Sequence, residues 1–275
     1  MKRLLKADLY RVLKSRLTMI ALILVIAFPV MIVLMYGGIR LFTSGLGEDM
    51  ESLDVLFTAN SLIGSIYSLT NNIGFVLPAF AGILACMDIS NGTLRNKVIA
   101  GNSRSAIYFS HLIVSILLSV SMITIYAAMT AGLSLLFFPF EKNPSTDLGP
   151  EILYFVANGT MTFVFMATVS TLFALTMRST APTIIFTIVF SIVLYSICSI
   201  LMLVNYEPYR HAVYLIPTFT GNFFNLSGFS LAGILGQGEE TARGLMFAEG
   251  MLSYLFFGAL NTVLGLMIFR KRDIS

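Results

Sequence analysis

Apolar positions along this chain come in long runs, and polar positions gather in the short stretches between them. The N-terminal stretch is different. Leu4, Leu5, Leu9, Val12, Leu13 and Leu17 recur at helical spacing, while Lys2, Arg3, Lys6, Arg11, Lys14 and Arg16 occupy the other face. This pattern predicts a basic amphipathic helix over 1–16, lying along a membrane surface. Beyond it, the runs predict six spans: 17–36, 71–87, 107–138, 152–176, 183–204 and 248–269. Each has the length a bilayer crossing requires, which is about 20 residues. They are apolar all round. Strands of a membrane barrel alternate polar and apolar over about ten residues, so the spans are expected to be helices, whose backbone satisfies itself in lipid.

Four stretches depart from this plain reading. Pro29 falls inside the first run and marks a kink. Residues 55–68 are apolar but sit ahead of Asn71, Asn72, Gly74 and Pro78, and are expected to form an outer or membrane-entering extension. The third run is over-long, which predicts tilt or an end outside the membrane. The segment 205–247 carries Pro208, Pro217, Gly221, Gly228, Gly236 and Gly238. Its two apolar patches are too short to span, so short interfacial or re-entrant helices are expected there. Residues 17–275 then form a single transmembrane domain.

Composition agrees with this reading. Of 275 residues, 57% are hydrophobic and 11% charged. Soluble domains carry roughly 25% charged residues, so this chain could not cover a water-facing surface. The basic N-terminus leads into a full-length apolar run without a small-residue cleavage site, and the first span is expected to be retained. Cys86 and Cys198 fall in predicted spans, in no metal-type or redox spacing, and read as packing residues.

The placement of charge orients the spans. With the N-terminus inside, thirteen of the 17 Lys and Arg residues fall on the inner side. The remaining four, Arg40, Lys142, Arg210 and Arg243, fall outside. Lys and Arg in short loops accumulate on the cytoplasmic side, so both termini are expected in the cytoplasm, and the protein in the plasma membrane. A net charge of +3 gives no reason to expect nucleic acid as a partner.

Several chemistries are disfavoured. Ion-driven transport needs ionisable side chains at membrane depth, yet Asp88 and His111 sit near span ends. No GxxxxGK[ST] loop is present to cradle ATP. His111 and His211, on opposite predicted sides, cannot form a zinc pair. Glu239, Glu240 and Arg243 fall one residue short of a Glu-Glu-x-x-x-Arg protease pattern, and no Gly-x-Ser with a partner His marks a rhomboid-type site. No matching motifs relate the two halves, as an inverted-repeat secondary transporter would require. No catalytic role is expected for this chain.

The loop over 88–106 has more structure. Asn91 and Gly92 permit a sharp turn, Ser90 or Thr93 can cap a short helix over 94–100, and Gly101 can end it. Leu94, Val98 and Ile99 are expected on its apolar face, with Arg95 and Lys97 elsewhere, and Ser103 is expected to cap the third span. The pattern Asp88, Gly92, Thr93, Arg95, then Gly101, Ser103 and Arg104, resembles the type-2 ATP-binding-cassette (ABC) permeases. In that family an acidic residue followed by Gly-Thr, then a Ser-Arg or Pro-Arg element, lies between the second and third spans. The layout is similar too, from the amphipathic N-terminus to the basic tail RKRDIS. His111 stands where the family often has Lys, and Asp88 where it often has Glu. The resemblance implies that Asp88, Gly92, Thr93, Leu94, Arg95, Gly101, Ser103 and Arg104 belong to a coupling helix. That helix would dock on a separate cytoplasmic ATP-binding subunit. The same resemblance implies a second permease chain, identical or similar, ATP and magnesium on the partner rather than here, and export of a hydrophobic or amphipathic cargo such as an antimicrobial peptide.

Overall fold

The computed structural model describes residues 1–44, 58–69, 74, 76–90, 92–140, 148–177, 179–203, 209–221 and 240–271. Among the described residues the chain is helical, with no strand. The elements are α1 (Lys2–Leu13), α2 (Arg16–Ser44), α3 (Ala59–Gly64), α4 (Val76–Ser90), α5 (Thr93–Ile99), α6 (Arg104–Phe137), α7 (Leu148–Met177), α8 (Thr180–Leu203), α9 (Arg210–Tyr214) and α10 (Glu240–Lys271).

Five helices are long and apolar enough to cross a membrane: Arg16–Phe42, Arg104–Phe137, Ile152–Met177, Thr180–Leu201 and Gly244–Lys271. On α2, α8 and α10, large apolar side chains such as Ile23, Met31, Ile185, Val189, Leu252 and Phe256 are exposed. Surfaces of that extent belong in lipid rather than water, and the chain is a multi-pass membrane protein. Five of the expected spans thus appear as long helices, most running a few residues past the bounds read from the sequence. The remaining one, expected over 71–87, is observed as the 15-residue α4. At 1.5 Å per residue it is about 22 Å long, shorter than the roughly 30 Å hydrocarbon core. Residues 71–73 and 75 of that stretch lie outside the described residues.

The bend between α1 and α2 has a local cause. The Thr18 amide donates to Ser15 Oγ at 3.1 Å, so Ser15 caps the second helix. The Thr18 hydroxyl donates back to the Val12 carbonyl at 2.6 Å, closing the end of the first. Past the bend, Ala21, Val25, Pro29 and Val33 form one buried stripe at helical spacing. They face a core shared with Val114, Leu118, Met122 and Tyr126 of α6. Pro29 lies on this stripe and the helix continues through it.

Helix α7 is the centre of the bundle, with α4, α6, α8 and α10 packed around it. Small side chains allow the close approaches. Cys86 Sγ lies 3.2 Å from Thr183 Oγ1 and 3.6 Å from the Ala174 carbonyl, so this cysteine packs between α7 and α8, as expected of a packing residue. The ring of Tyr67 occupies the space beside Gly159 that a Cβ would need, and stacks edge-on against Phe155 at 5.0 Å. The segment 58–69, expected as an outer or membrane-entering extension, is largely buried, and the Ala59 amide donates to the Pro139 carbonyl at 3.1 Å.

The two ends of the bundle are distinct. One end gathers Leu4, Leu94, Ile107, Tyr108, Leu112, Leu175 and Phe269 from α1, α5, α6, α7 and α10. The other gathers Cys198, Val213, Phe219 and Met246. There, residues 217–221 are all buried. The other apolar patch of the outer segment, 228–236, lies outside the described residues.

The Gly159 contact makes a prediction. Gly159→Val should displace Tyr67 and cost about 1–3 kcal/mol, read as a lower melting temperature in detergent. Gly37→Val, where a Cβ meets nothing within 4 Å, should leave it unchanged.

Candidate functional site

Helix α5 is seven residues long and is bracketed by two glycines in the left-handed region, Gly92 at φ 67° and Gly101 at φ 82°. Such a conformation costs an L-residue roughly 1–2 kcal/mol, so these positions define the helix ends. The C-terminal end is a Schellman motif. The Gly101 amide donates to the Val98 carbonyl at 2.9 Å, and the Asn102 amide to the Lys97 carbonyl at 3.2 Å. Ser103 then caps α6 by accepting from the Ala106 amide at 3.2 Å, as expected from the sequence.

Other expectations for this segment need correction. Its N-cap is Gly92, without a side-chain hydrogen bond, rather than Ser90 or Thr93, and the helix begins at Thr93 and ends at Ile99. Leu94 is buried and Val98 packs against the same cluster. Ile99, expected beside them, is 74% exposed. Its place is taken by Lys97, which was expected on a polar face and instead turns inward.

The reason is Asp8. Its carboxylate is buried, and Lys97 Nζ contacts Asp8 Oδ1 at 2.6 Å. The Ser110 hydroxyl donates to Asp8 Oδ2 at 2.6 Å. Lys97 Nζ also donates to His111 Nε2 at 3.5 Å, and Arg11 reaches both Asp8 Oδ1 at 3.9 Å and the Thr93 hydroxyl at 3.5 Å. The N-terminal helix, the short helix and the start of α6 are therefore joined by one buried polar cluster, walled by apolar side chains. At its edge, Arg104 donates to the Arg270 carbonyl at 2.8 Å and ties in the end of α10.

Electrostatics follow from burial and partners. Burial alone would raise the Asp8 carboxyl. The hydrogen bonds from Lys97 and Ser110, with the Lys97 charge, outweigh it and hold the group below its ordinary value of 3.8. Burial lowers the Lys97 ammonium, against the opposing pull of Asp8. The site thus favours one ionised partner and disfavours the other, and the 2.6 Å contact is that of a charged pair.

The sequence reading is of α1 as an amphipathic helix lying along the membrane surface. Its Leu4, Asp8 and Val12 face the protein, which pattern alone does not show, while Lys2, Arg3, Lys6, Tyr10 and Lys14 are exposed. A signal for this was present, because Asp8 lies in the middle of the apolar stripe, one turn from both Leu4 and Val12. A carboxylate there requires a buried partner. Of the residues singled out, Gly92, Thr93, Leu94, Arg95, Gly101, Ser103 and Arg104 lie along this one surface. Asp88 is in the last turn of α4, and its side chain lies outside the described residues. Arg95 and Ile99, one turn apart, form the exposed ridge of α5. Far from here, Glu249 near the start of the last apolar helix pairs with His211 at 2.7 Å, a contact that the apolar run concealed. Among the described residues no three His, Cys, Asp or Glu side chains gather as a metal site.

Removing one member of the central pair strands a buried charge. Asp8→Ala and Lys97→Ala should each cost about 3–5 kcal/mol, whereas Asp8→Leu combined with Lys97→Met should recover most of the loss, measured by thermal unfolding in detergent. Because the folded-state pKa of Asp8 is lowered, its stabilisation is fully present above pH 3.8 and is lost as pH falls through the lowered value. Release of α1, followed by cysteine accessibility of an introduced Leu4→Cys, should therefore set in only as pH falls below 3.8.

No protein-family model matches the chain and no curated protein matches it significantly, so the reading of this surface rests on its geometry.

Proposed function

We propose that this chain is the permease subunit of an ABC exporter, with α5 as the helix that docks on a separate cytoplasmic ATPase. The observation that carries the reading is the construction of α5. It is a short helix with glycine-set ends, an outward ridge of Arg95 and Ile99, and a buried ion pair behind it. An exposed isoleucine beside an arginine suits seating in a partner's cleft, since interface anchors combine apolar contact with Arg. The ion pair and the three-residue turn to Ser103 give a push on α5 no soft element to dissipate in. It passes to α1, to α2 through the Ser15 bend, to α6, and through Arg104 to α10.

In this reading the chain crosses the plasma membrane six times, with both ends and α5 in the cytoplasm. Two observations support the sixth crossing. Thr93 is held against Arg11 at one end of the bundle, and Ala59 against Pro139 at the other. The chain between them, α3 and α4 together, returns along the bundle. The inner-side cations of α1, α5, α6 and α10 also share one end. Two permease chains would enclose the path, ATP and magnesium would bind the partner ATPase, and ATP-driven closure would draw the two α5 helices together. An apolar, Phe- and Met-rich interior suits a hydrophobic or amphipathic cargo, possessing adaptable contacts in place of fixed charges.

In membranes reconstituted with the partner ATPase, Arg95→Glu, Gly92→Pro and Ile99→Ala should each reduce permease-stimulated ATP hydrolysis. Loss of one interface anchor, at 1–2 kcal/mol or more, corresponds to about a five- to thirty-fold weaker coupling complex. Wild-type stimulation in all three, with the permease folded, would overturn the assignment.

A further inference from the structure

Two asparagines lie in the five long apolar helices, and they differ. Asn158 of α7 is fully buried and satisfied. Its Nδ2 donates to the Tyr154 carbonyl at 2.9 Å, and its Oδ1 accepts from Thr220 at 3.2 Å. Asn261 of α10 is only partly buried, and its amide has no hydrogen-bond partner among the described residues. It lies ten residues before Lys271, about 15 Å along the helix, which is the middle of a roughly 30 Å hydrocarbon core. Neither water nor a lipid headgroup resides at that depth, and an unsatisfied amide there is costly. Thr262, next to it, is already satisfied by donating to the Gly258 carbonyl at 2.8 Å.

The neighbours of Asn261 form a seam. Asn261, Leu264 and Ile268 are spaced three and four residues apart, which is the a/d spacing of a packed helix pair. One turn before Asn261, Phe257 packs inward against the cluster of Phe165 and Tyr254, whereas Leu264 and Ile268 are exposed by 43% and 37%. One flank is open, for a Cβ on Gly258 would meet nothing within 4 Å, so another helix can approach closely there.

We propose that this seam of α10 packs against the same seam of a second copy of the chain, with the two Asn261 amides hydrogen-bonded across the contact. A carboxamide both donates and accepts, so it complements itself. Two copies inserted in one orientation are related by a two-fold axis along the membrane normal. The two α10 helices then run parallel, and a residue on the axis meets its own counterpart. A polar side chain at one such position sets register and partner number in a helix pair. The inference deepens the reading above, on which it rests for a second permease chain, but its test needs no ATPase, so the two fail separately.

The test is disulfide cross-linking in lipid vesicles, in a background with Cys86→Ala and Cys198→Ala. Leu264→Cys and Ile268→Cys should cross-link into dimers of this chain, and Leu255→Cys, on another face of α10, should not. With Leu264→Cys as reporter, Asn261→Val should weaken dimerisation about three- to thirty-fold, matching the measured range for hydrogen bonds between membrane helices. Asn261→Gln should retain most of it, and unchanged melting of each variant excludes misfolding as the cause. Cross-linking at Leu255→Cys equal to that at Leu264→Cys, full dimerisation of Asn261→Val, or adducts with a different chain only, would each overturn the proposal.

Discussion

The cytoplasm-proposed end of this protein depends on one contact, the buried pair of Asp8 and Lys97. A carboxylate and an ammonium leave water together only when the Coulomb attraction and added hydrogen bonds offset their desolvation. Ser110, His111 and Arg11 supply those additional partners. Ser110 and His111 come from α6, Lys97 from α5, and Arg11 from α1 with Asp8, so satisfying the pair draws these three helices to one place. The apolar wall of Leu4, Leu94, Leu112 and Phe269 then closes over it. Neither helix has the means to hold this position alone. Helix α5 has seven residues and α1 has twelve, lengths at which isolated helices are marginal in water.

The contact also gives the surface its mechanical character. A flexible loop between two spans would absorb a push from below. Here the ridge of Arg95 and Ile99 stands on a helix whose ends are set by two left-handed glycines and whose back is anchored by a salt bridge. Buried ion pairs contribute little net stability compared with apolar packing, but they specify one arrangement. A docking element, as α5 is proposed to be, needs that specificity more than it needs stability. The opposite end is built otherwise. Asn158, Thr162, Thr220 and Tyr254 form a hydrogen-bonded network of uncharged side chains there, with the Thr162 and Tyr254 hydroxyls 2.8 Å apart, and the His211–Glu249 contact lies at the same end.

Much of the fold was legible in the sequence because lipid allows so few solutions. Long uniform apolar runs have to be helices, and Gly101 and Ser103 announce a helix end and a helix start by their own chemistry. What was not legible involves pairs far apart in the chain. Lys97 and Asp8 are 89 positions apart, and periodicity on α5 assigned Ile99 inward because nothing local favours a lysine there. The apolar stripe of α1 fits lipid and protein equally well by pattern, and only the misplaced Asp8 distinguishes them. Asn261 and Glu249 were hidden by the hydrophobicity of their neighbours, which fixes that a helix crosses without fixing which face meets what.

The most direct test of the docking surface is site-specific photo-cross-linking in living cells, with a photoreactive residue at position 99 and, for comparison, at Met19 on the lipid-facing side of α2. The expected result is an adduct from position 99 with a soluble protein that carries an ATP-binding phosphate loop, and none from position 19. Adducts with lipid alone at both positions, or with no ATP-binding protein at position 99, would contradict α5 as the coupling helix.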